Sequence, residues 1–138
     1  MLHLLLITGD AGESYETLYA LHRFQEAGHV AHIAAPSKKR LNLVMHDFEP
    51  GWDTYVERPG YRLESDLTFA EVDTRQYDAV LIIGGRAPEY LRNDARVIEI
   101  VQEFHQQGKY LFAICHGIQV LVTAGLVADR RITCYEHV

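Results

Sequence analysis

The chain has 138 residues, a formal net charge of −6 and 48% hydrophobic residues. This length predicts a single domain with enough chain to bury a core. The negative net charge gives no sign of the basic surface that binds nucleic acid. No apolar run approaches the length of a membrane span. Two cysteines do not make a disulfide framework, and the chain opens on a strand-like segment in place of a signal peptide. We therefore expect a cytoplasmic protein.

Strand-like and helix-like segments alternate along most of the chain. Continuous apolar runs indicate buried parallel strands, and apolar residues at i, i+3, i+4 and i+7 indicate helices. The predicted strands are Leu2–Ile7, Val30–Ala35, Asp78–Ile83 and Tyr110–Ile114, and the predicted helices run from about Ser14 to Ala27, through Val97 and Phe104, and from Ile118 to Val122. This alternation predicts an α/β fold with a doubly wound parallel sheet.

The alternation lapses between residues 36 and 73, where we expect a β-hairpin excursion around 40–70. A two-residue period indicates a half-exposed strand there, formed by Tyr61, Leu63, Leu67 and Phe69. The tip lies near Trp52, the only tryptophan. With Tyr55 and Tyr61, it could line a pocket, serve a subunit contact or simply pack under the loop.

Cys115 lies where an apolar strand is expected to turn sharply into a helix. The small residues Ala113 and Gly117, two positions to either side, suit the tight turn of a nucleophile elbow. A thiolate at the start of a helix faces free backbone amides, which can lower its pKa and make it nucleophilic. The alternative is that Cys115 is only a small buried hydrophobic residue.

Three loops follow strands at the carboxyl edge of the predicted sheet and should converge there: Thr8–Glu13, Gly84–Glu89 and Cys115–Gly117. Burial beside a thiolate would keep the Glu13 carboxyl protonated and able to shuttle protons, although Glu13 could instead only favour the start of its helix. His116 could protonate an intermediate, or be held by a neighbouring carbonyl or carboxylate.

Further candidates surround these residues. Glu89 could orient His116 as the acid of a Cys-His-acid arrangement. Arg86 could bind a substrate carboxylate or tie down its own loop, and His46 is a candidate substrate contact from the hairpin. The histidines lack metal-ligand spacing, so we expect no metal site.

Three segments together resemble the ThiJ/PfpI superfamily, also called DJ-1/PfpI, within the class I glutamine amidotransferase-like proteins. They are Gly9-Asp10 with Glu13, the Gly84–Glu89 loop, and Ala113–Gly117. The resemblance, which is strongest to the PfpI-like peptidase and glyoxalase branch, implies a flavodoxin-like sandwich. It also implies Cys115 as nucleophile, Glu13 as its protonated partner and His116 as the neighbouring imidazole. In PfpI-like oligomers the acid matching Glu89 comes from an adjacent subunit, so a homo-oligomer is expected.

The function implied is a cofactor-independent glyoxalase-type conversion of a 2-oxoaldehyde to a 2-hydroxy acid. Cys115 would add to the aldehyde, Glu13 would move a proton between adjacent carbons, and His116 would assist. The expected substrate and oxyanion contacts are Gly84, Gly85, Arg86, Gly117 and His46, with the amides of Gly85 and His116 as oxyanion donors. The alternatives are a PfpI-like cysteine peptidase or amidase, and a redox-sensing or chaperone-like stress protein in which Cys115 is oxidised.

The end of the chain departs from the family pattern. Ile132–Tyr135 reads as the start of another strand, yet the chain stops at Val138, without the final strands and C-terminal helix usual in the family. A strand left uncovered there would expose apolar surface and an open edge. From this we expect either a fragment or a fold that another chain completes.

Overall fold

A parallel sheet lies at the centre of the computed structural model, which describes residues 1–138. Its strands are β1 (His3–Ile7), β2 (Val30–Ala35), β5 (Leu67–Thr68), β6 (Ala79–Ile82) and β7 (Tyr110–Ala113), in the order β5-β2-β1-β6-β7. The helices are α1 (Ser14–Glu26), α2 (Ala87–Leu91), α3 (Ala95–Gln106) and α4 (Ile118–Thr123). Short 3-10 turns occupy Phe69–Glu71, Thr74–Gln76 and Cys115–Gly117. The flavodoxin-like α/β fold expected from the sequence is confirmed.

Both faces of the sheet are covered, as its continuous apolar strands require. Leu5 and Ile7 of β1 pack with α2, α3 and α4 in one cluster of 16 buried residues. Leu4 and Leu6 point to the other face, in a cluster of 10 buried residues shared with α1 and the next strand of the chain. Because side chains alternate along a strand, β1 contributes to both cores and holds the two layers together.

The expected excursion is an antiparallel hairpin outside the main sheet, formed by β3 (Arg40–Asp47) and β4 (Val56–Glu64). Its extent differs from the prediction at one end. Leu67 belongs to β5, which pairs in parallel with β2 and so returns to the main sheet. Trp52 near the tip is 61% exposed, so it does not pack under the loop. Of the three aromatic residues named for this region, Tyr55 lines a cavity.

No strand forms over residues 132–135, and the expectation of one is wrong. The backbone there makes no ladder with β7, and Ile132 remains half exposed. The aromatic ring of Tyr135 instead packs 6.4 Å, centroid to centroid, from the ring of His116. This segment therefore lies against the carboxyl edge of the sheet. None of the helices has the length and apolar content needed to cross a membrane.

Candidate active site

Main-chain hydrogen bonds join the loops at the carboxyl edge of the sheet. The N–H of Glu13 donates to the carbonyl of Gly84 at 3.2 Å, and the N–H of Arg86 donates to that of Ala11 at 2.8 Å. Isolated bridges also connect the first loop to the loop after β6 and to strand β3 of the hairpin. The loops after β1 and β6 and the hairpin thus form one backbone-linked rim.

Cys115 is at the first position of the turn between β7 and α4, with φ of +54°. Few non-glycine residues adopt this left-handed conformation, which is typical of a strained elbow. Gly117 allows the turn to approach the sheet, because a β-carbon there would lie 2.5 Å from the carbonyl oxygen of Ile82. The structure therefore has the sharp strand-to-helix turn that the sequence predicted.

A cavity of about 280 Å³ opens beside the thiol. Its wall is formed by two carboxyl groups at the start of α1, by aromatic rings of the hairpin and of the C-terminal segment, and by the elbow. The lining residues are Glu13, Tyr15, Glu16, His46, Phe48, Tyr55, Cys115, His116 and Tyr135. The cavity is mostly aromatic around one thiol, two carboxyl groups and two imidazoles, which is a setting for acid–base and nucleophilic chemistry.

The carboxyl group beside the Cys115 thiol belongs to Glu16, and the sequence prediction had placed Glu13 there. Glu13 is buried and caps α1, with its Oε2 accepting the N–H of Glu16 at 2.7 Å. That capping bond directs the Glu13 carboxylate along the helix start, where the positive end of the helix dipole favours it. One turn further on, Glu16 faces the thiol.

The loop after β6 fixes the Glu16 carboxyl. The N–H of Gly84 donates to its Oε2 at 2.7 Å. A β-carbon on Gly84 would collide with Cβ of Cys115 and stand 2.7 Å from that oxygen. Only a glycine allows the elbow, the carboxyl group and this loop to meet so closely.

Burial raises the pKa of the Glu16 carboxyl, and the nearby Glu13 raises it further, while the Gly84 hydrogen bond opposes both. Burial also raises the pKa of the Cys115 thiol, with the charge of Glu16 adding to the effect. The amides of Gly85 and His116 lower the thiol pKa but do not reverse the shift. The expectation of a lowered thiol pKa is therefore wrong, because burial and a carboxylate outweigh the amides of the turn.

His116 is buried, and its Nδ1 lies 3.3 Å from Sγ of Cys115. Burial lowers the pKa of this imidazole, the charge of Glu89 raises it, and His46 lowers it again. A neutral imidazole next to a thiol can accept the sulfur proton. Direct contact between the two side chains is closer than their adjacent positions in the sequence led us to expect.

Glu89 is exposed in the first turn of α2 and makes no hydrogen bond to His116 within the chain. Arg86 does not line the cavity either. Its guanidinium is paired with Glu57 of the hairpin, with Nη2 3.0 Å from Oε1. Of the two alternatives for Arg86, the structure favours the structural one, because Arg86 holds its own loop to the hairpin through Glu57. The orienting role of Glu89 stays a prediction that a neighbouring subunit would have to fulfil.

The other expected contacts divide into amides that are occupied and amides that face the sulfur. The N–H of Gly84 is bonded to Glu16, and that of Gly117 is bonded to the carbonyl of Ile114 at 2.9 Å. Neither is free to bind an oxyanion. The amides of Gly85 and of the residue after the cysteine remain directed at Sγ.

Sequence reasoning missed Glu16, Glu57 and Tyr135. A signal for Glu16 existed, because residues three apart share a helix face and Glu16 follows Glu13 by three. Nothing local marked the other two. Glu57 reaches the site through hairpin pairing, and Tyr135 reaches it through an irregular segment. No group of three or more histidine, cysteine or acidic side chains has a metal-binding arrangement.

Comparison with known proteins decides the family. The model of the DJ-1/PfpI family matches residues 3–138. The chain belongs to the DJ-1/PfpI family. Among DJ-1/PfpI proteins it is 40% identical to protein DJ-1 homolog D of Arabidopsis thaliana over 137 residues, covering 97% of this chain and 35% of that protein. It is 35% identical to deglycase PfpI of Pyrococcus furiosus over 132 residues, covering 96% of this chain and 71% of the relative.

Solved structures of DJ-1/PfpI proteins share the fold. A two-domain protein of Anabaena variabilis with DJ-1/ThiJ/PfpI-like and ferritin-like domains superposes with a TM-score of 0.86 at 24% identity, over 99% of this chain and 36% of that one. Oxidised DJ-1 of Toxoplasma gondii gives a TM-score of 0.79 at 21% identity, over 98% and 67% of the two chains. The chain thus spans about a third of the plant relative and about seven tenths of the archaeal one.

Proposed function

We propose that this DJ-1/PfpI-family chain converts a 2-oxoaldehyde to the corresponding 2-hydroxy acid without a cofactor. The observation that carries the proposal is the Glu16 carboxyl lying beside the Cys115 thiol in one aromatic-walled cavity. Isomerising an oxoaldehyde requires a nucleophile that holds the aldehyde carbon and a base that moves a proton to the next carbon. These two side chains supply both groups.

The reaction begins at the sulfur. Sγ of Cys115 bonds to the aldehyde carbon while Nδ1 of His116, 3.3 Å away, takes the thiol proton and passes it to the aldehyde oxygen. The product is a hemithioacetal. The amide N–H groups directed at the sulfur, from Gly85 and His116, are suitably placed to stabilise the negative oxygen as it forms.

Glu16 then acts on carbon. Its carboxylate removes the proton from the former aldehyde carbon, which gives an enediolate. It returns this proton to the adjacent carbon while the hemithioacetal hydroxyl proton passes to the neighbouring oxygen, which gives a 2-hydroxy thioester. Burial raises the pKa of this carboxyl, and a carboxylate of raised pKa is a stronger base. Water then cleaves the thioester, releasing the 2-hydroxy acid and the free thiol.

The relatives support an enzyme of this kind. Several archaeal proteins that resemble the chain at 34–35% identity are named deglycases. The same cysteine could also attack an amide, which is the reaction of a peptidase. The geometry favours isomerisation, because a carboxyl group next to the thiol serves a carbon-to-carbon proton transfer and has no required part in amide cleavage.

The test is lactate formation from methylglyoxal by the purified chain, without glutathione or added metal. We expect D- or L-lactate in excess over enzyme, abolished by Cys115→Ala and retained by Cys134→Ser, which alters the other, exposed cysteine. Lactate formation that survives Cys115→Ala would refute the proposal, as would amine release from peptides in the absence of any lactate.

A further inference from the structure

His46 forms part of the wall of the cavity beside Cys115. It lies on β3, its side chain is only 9% exposed, and its ring stacks on that of Tyr55 at 4.2 Å between centroids. The Tyr55 ring in turn meets the ring of His116 edge-on at 5.9 Å. The cavity therefore holds two imidazoles separated by one tyrosine, and only His116 contacts the sulfur.

A carboxylate on the neighbouring strand fixes the His46 ring. Its Nε2 is 2.9 Å from Oε2 of Glu57, which is its register partner across the hairpin. Arg86 donates to both oxygens of Glu57, from Nη2 to Oε1 at 3.0 Å and from Nε to Oε2 at 3.3 Å. The Arg86 guanidinium lowers the pKa of Glu57, so that carboxylate is ionised and only accepts hydrogen bonds.

This arrangement sets the tautomer of the imidazole. Because Glu57 can only accept, Nε2 of neutral His46 carries the hydrogen and Nδ1 keeps its lone pair. Nδ1 makes no hydrogen bond to another group of the chain, and the residue lines the cavity that contains Cys115. A carboxylate-oriented imidazole with a free ring nitrogen, on a residue that lines the same cavity as a nucleophile, has the features of a general base acting through water.

We propose that His46 is the general base that activates water to hydrolyse the thioester on Cys115, with Glu57 and Arg86 as its positioning residues. This rests on the proposed function for the identity of the acyl group. His116 contacts the sulfur and Glu16 serves the carbon atoms, and His46 is the remaining imidazole in the cavity for the attacking water. The charged and titratable groups around His46 are Glu57 on β4, Tyr55 just before β4, Glu16 on α1 and His116 at the elbow.

In this step Nδ1 of His46 takes a proton from water while the water oxygen bonds to the thioester carbonyl carbon. The C–S bond then breaks, and its electron pair goes to Sγ. The His46 imidazolium then loses its proton to solvent, and Sγ takes one from solvent through His116, the imidazole 3.3 Å from it, which restores the thiol. The products are the carboxylic acid, which ionises in solution, and the resting side chains, so no oxidant or further reactant is needed.

The test isolates hydrolysis from the preceding chemistry. In a Cys134→Ser background, p-nitrophenyl acetate acetylates Cys115, and loss of the hydroxylamine-sensitive acetyl group is followed by intact mass. His46→Gln can still donate to Glu57 but lacks the ring base, and we expect its deacylation to be about 100-fold slower than in the parent. Glu57→Gln should slow the same step about 10-fold, since it no longer dictates the tautomer.

Glu49→Gln is the matched control. It breaks the ion pair with Arg58 in the same hairpin, away from the cavity, and should deacylate at the parental rate. Added imidazole should restore deacylation in His46→Ala. Parental deacylation by His46→Gln would overturn the inference, and so would equal slowing by Glu49→Gln, which would assign the effect to hairpin integrity. Absence of lactate from methylglyoxal would refute only the proposed function, because the acetyl assay does not use that substrate.

Discussion

Gly84 and Glu16 are joined by a hydrogen bond of 2.7 Å from the backbone N–H to the carboxyl Oε2. The bond connects the loop after β6 to the first turn of α1. It places a partly buried carboxyl beside the thiol of the elbow, and the same contact leaves no space for a side chain at Gly84.

Removing the acid function of Glu16 should abolish most of the isomerisation. We expect Glu16→Gln to lower kcat with methylglyoxal about 100-fold with little change in KM, because the amide can keep the Gly84 hydrogen bond but cannot carry a proton between carbons. Steady-state lactate assays measure both constants. Glu26→Gln, at the exposed end of the same helix, is the control. A Glu16→Gln enzyme of parental kcat would exclude Glu16 as the base.

The reactivity of the thiol should depend on pH in a defined direction. Burial and the Glu16 charge raise the pKa of Cys115, so its alkylation by iodoacetamide should have a midpoint above that of an ordinary cysteine. Glu16→Gln removes the charge that disfavours the thiolate, and the midpoint should therefore move to lower pH. Rates are measured by intact mass in the Cys134→Ser background. An upward shift in Glu16→Gln would mean that the carboxyl stabilises the thiolate.

Activity should require that residue 84 has no side chain. Gly84→Ala forces a β-carbon against Cβ of Cys115 and the Glu16 carboxyl, so activity should fall at least about 10-fold, since small misplacements of reacting groups are costly. Gly28→Ala is the comparison. It lies at the end of α1 with φ of +81° and open space around it, so it should cost about 1 kcal/mol of stability and leave kcat unchanged. Equal kcat in the two variants would contradict the packing argument.

Glu13 should behave as a helix cap. Glu13→Ala removes the acceptor for the Glu16 N–H and should lower the free energy of unfolding by about 0.5–2 kcal/mol. Urea denaturation measures this change. Glu13→Asn, which retains a side-chain acceptor at the cap, should recover most of the loss. If Glu13→Asn restored stability but abolished turnover, a direct chemical role for Glu13 would be indicated.

Much of the fold could be predicted because its determinants are local. Continuous apolar runs identified β1, β2, β6 and β7 nearly to the residue, and the spacing of Val97, Ile100, Val101 and Phe104 identified the buried face of α3. The prediction was wrong about residues 132–135. The apolar alternation there predicted a strand, but this segment pairs with no other strand. Tyr135 instead packs its ring against the ring of His116.

The site was predictable in outline, since parallel strands end at one edge and their loops must meet there. The sequence could not decide whether Glu13 or Glu16 lies beside the thiol. The answer depends on which of the two carboxyl groups accepts a backbone N–H at the start of α1, and Glu13 does so. The predicted direction of the thiol pKa shift was wrong for a related reason, because burial and a neighbouring charge depend on the tertiary structure. The contact between His46 and Glu57 depends on hairpin register, which a shift of one residue would change.

The shared backbone hydrogen bonds of the rim carry a consequence for how the protein can be altered. Because Ala11, Glu13, Gly84 and Arg86 exchange main-chain bonds across two loops, neither loop can be lengthened or replaced without misaligning the other. Redesign of substrate preference would have to use side chains that hang over the opening, such as Phe48 and Tyr135, whose rings meet at 6.3 Å. Substitutions at these two positions would change the shape of the cavity opening and leave the reacting groups in place.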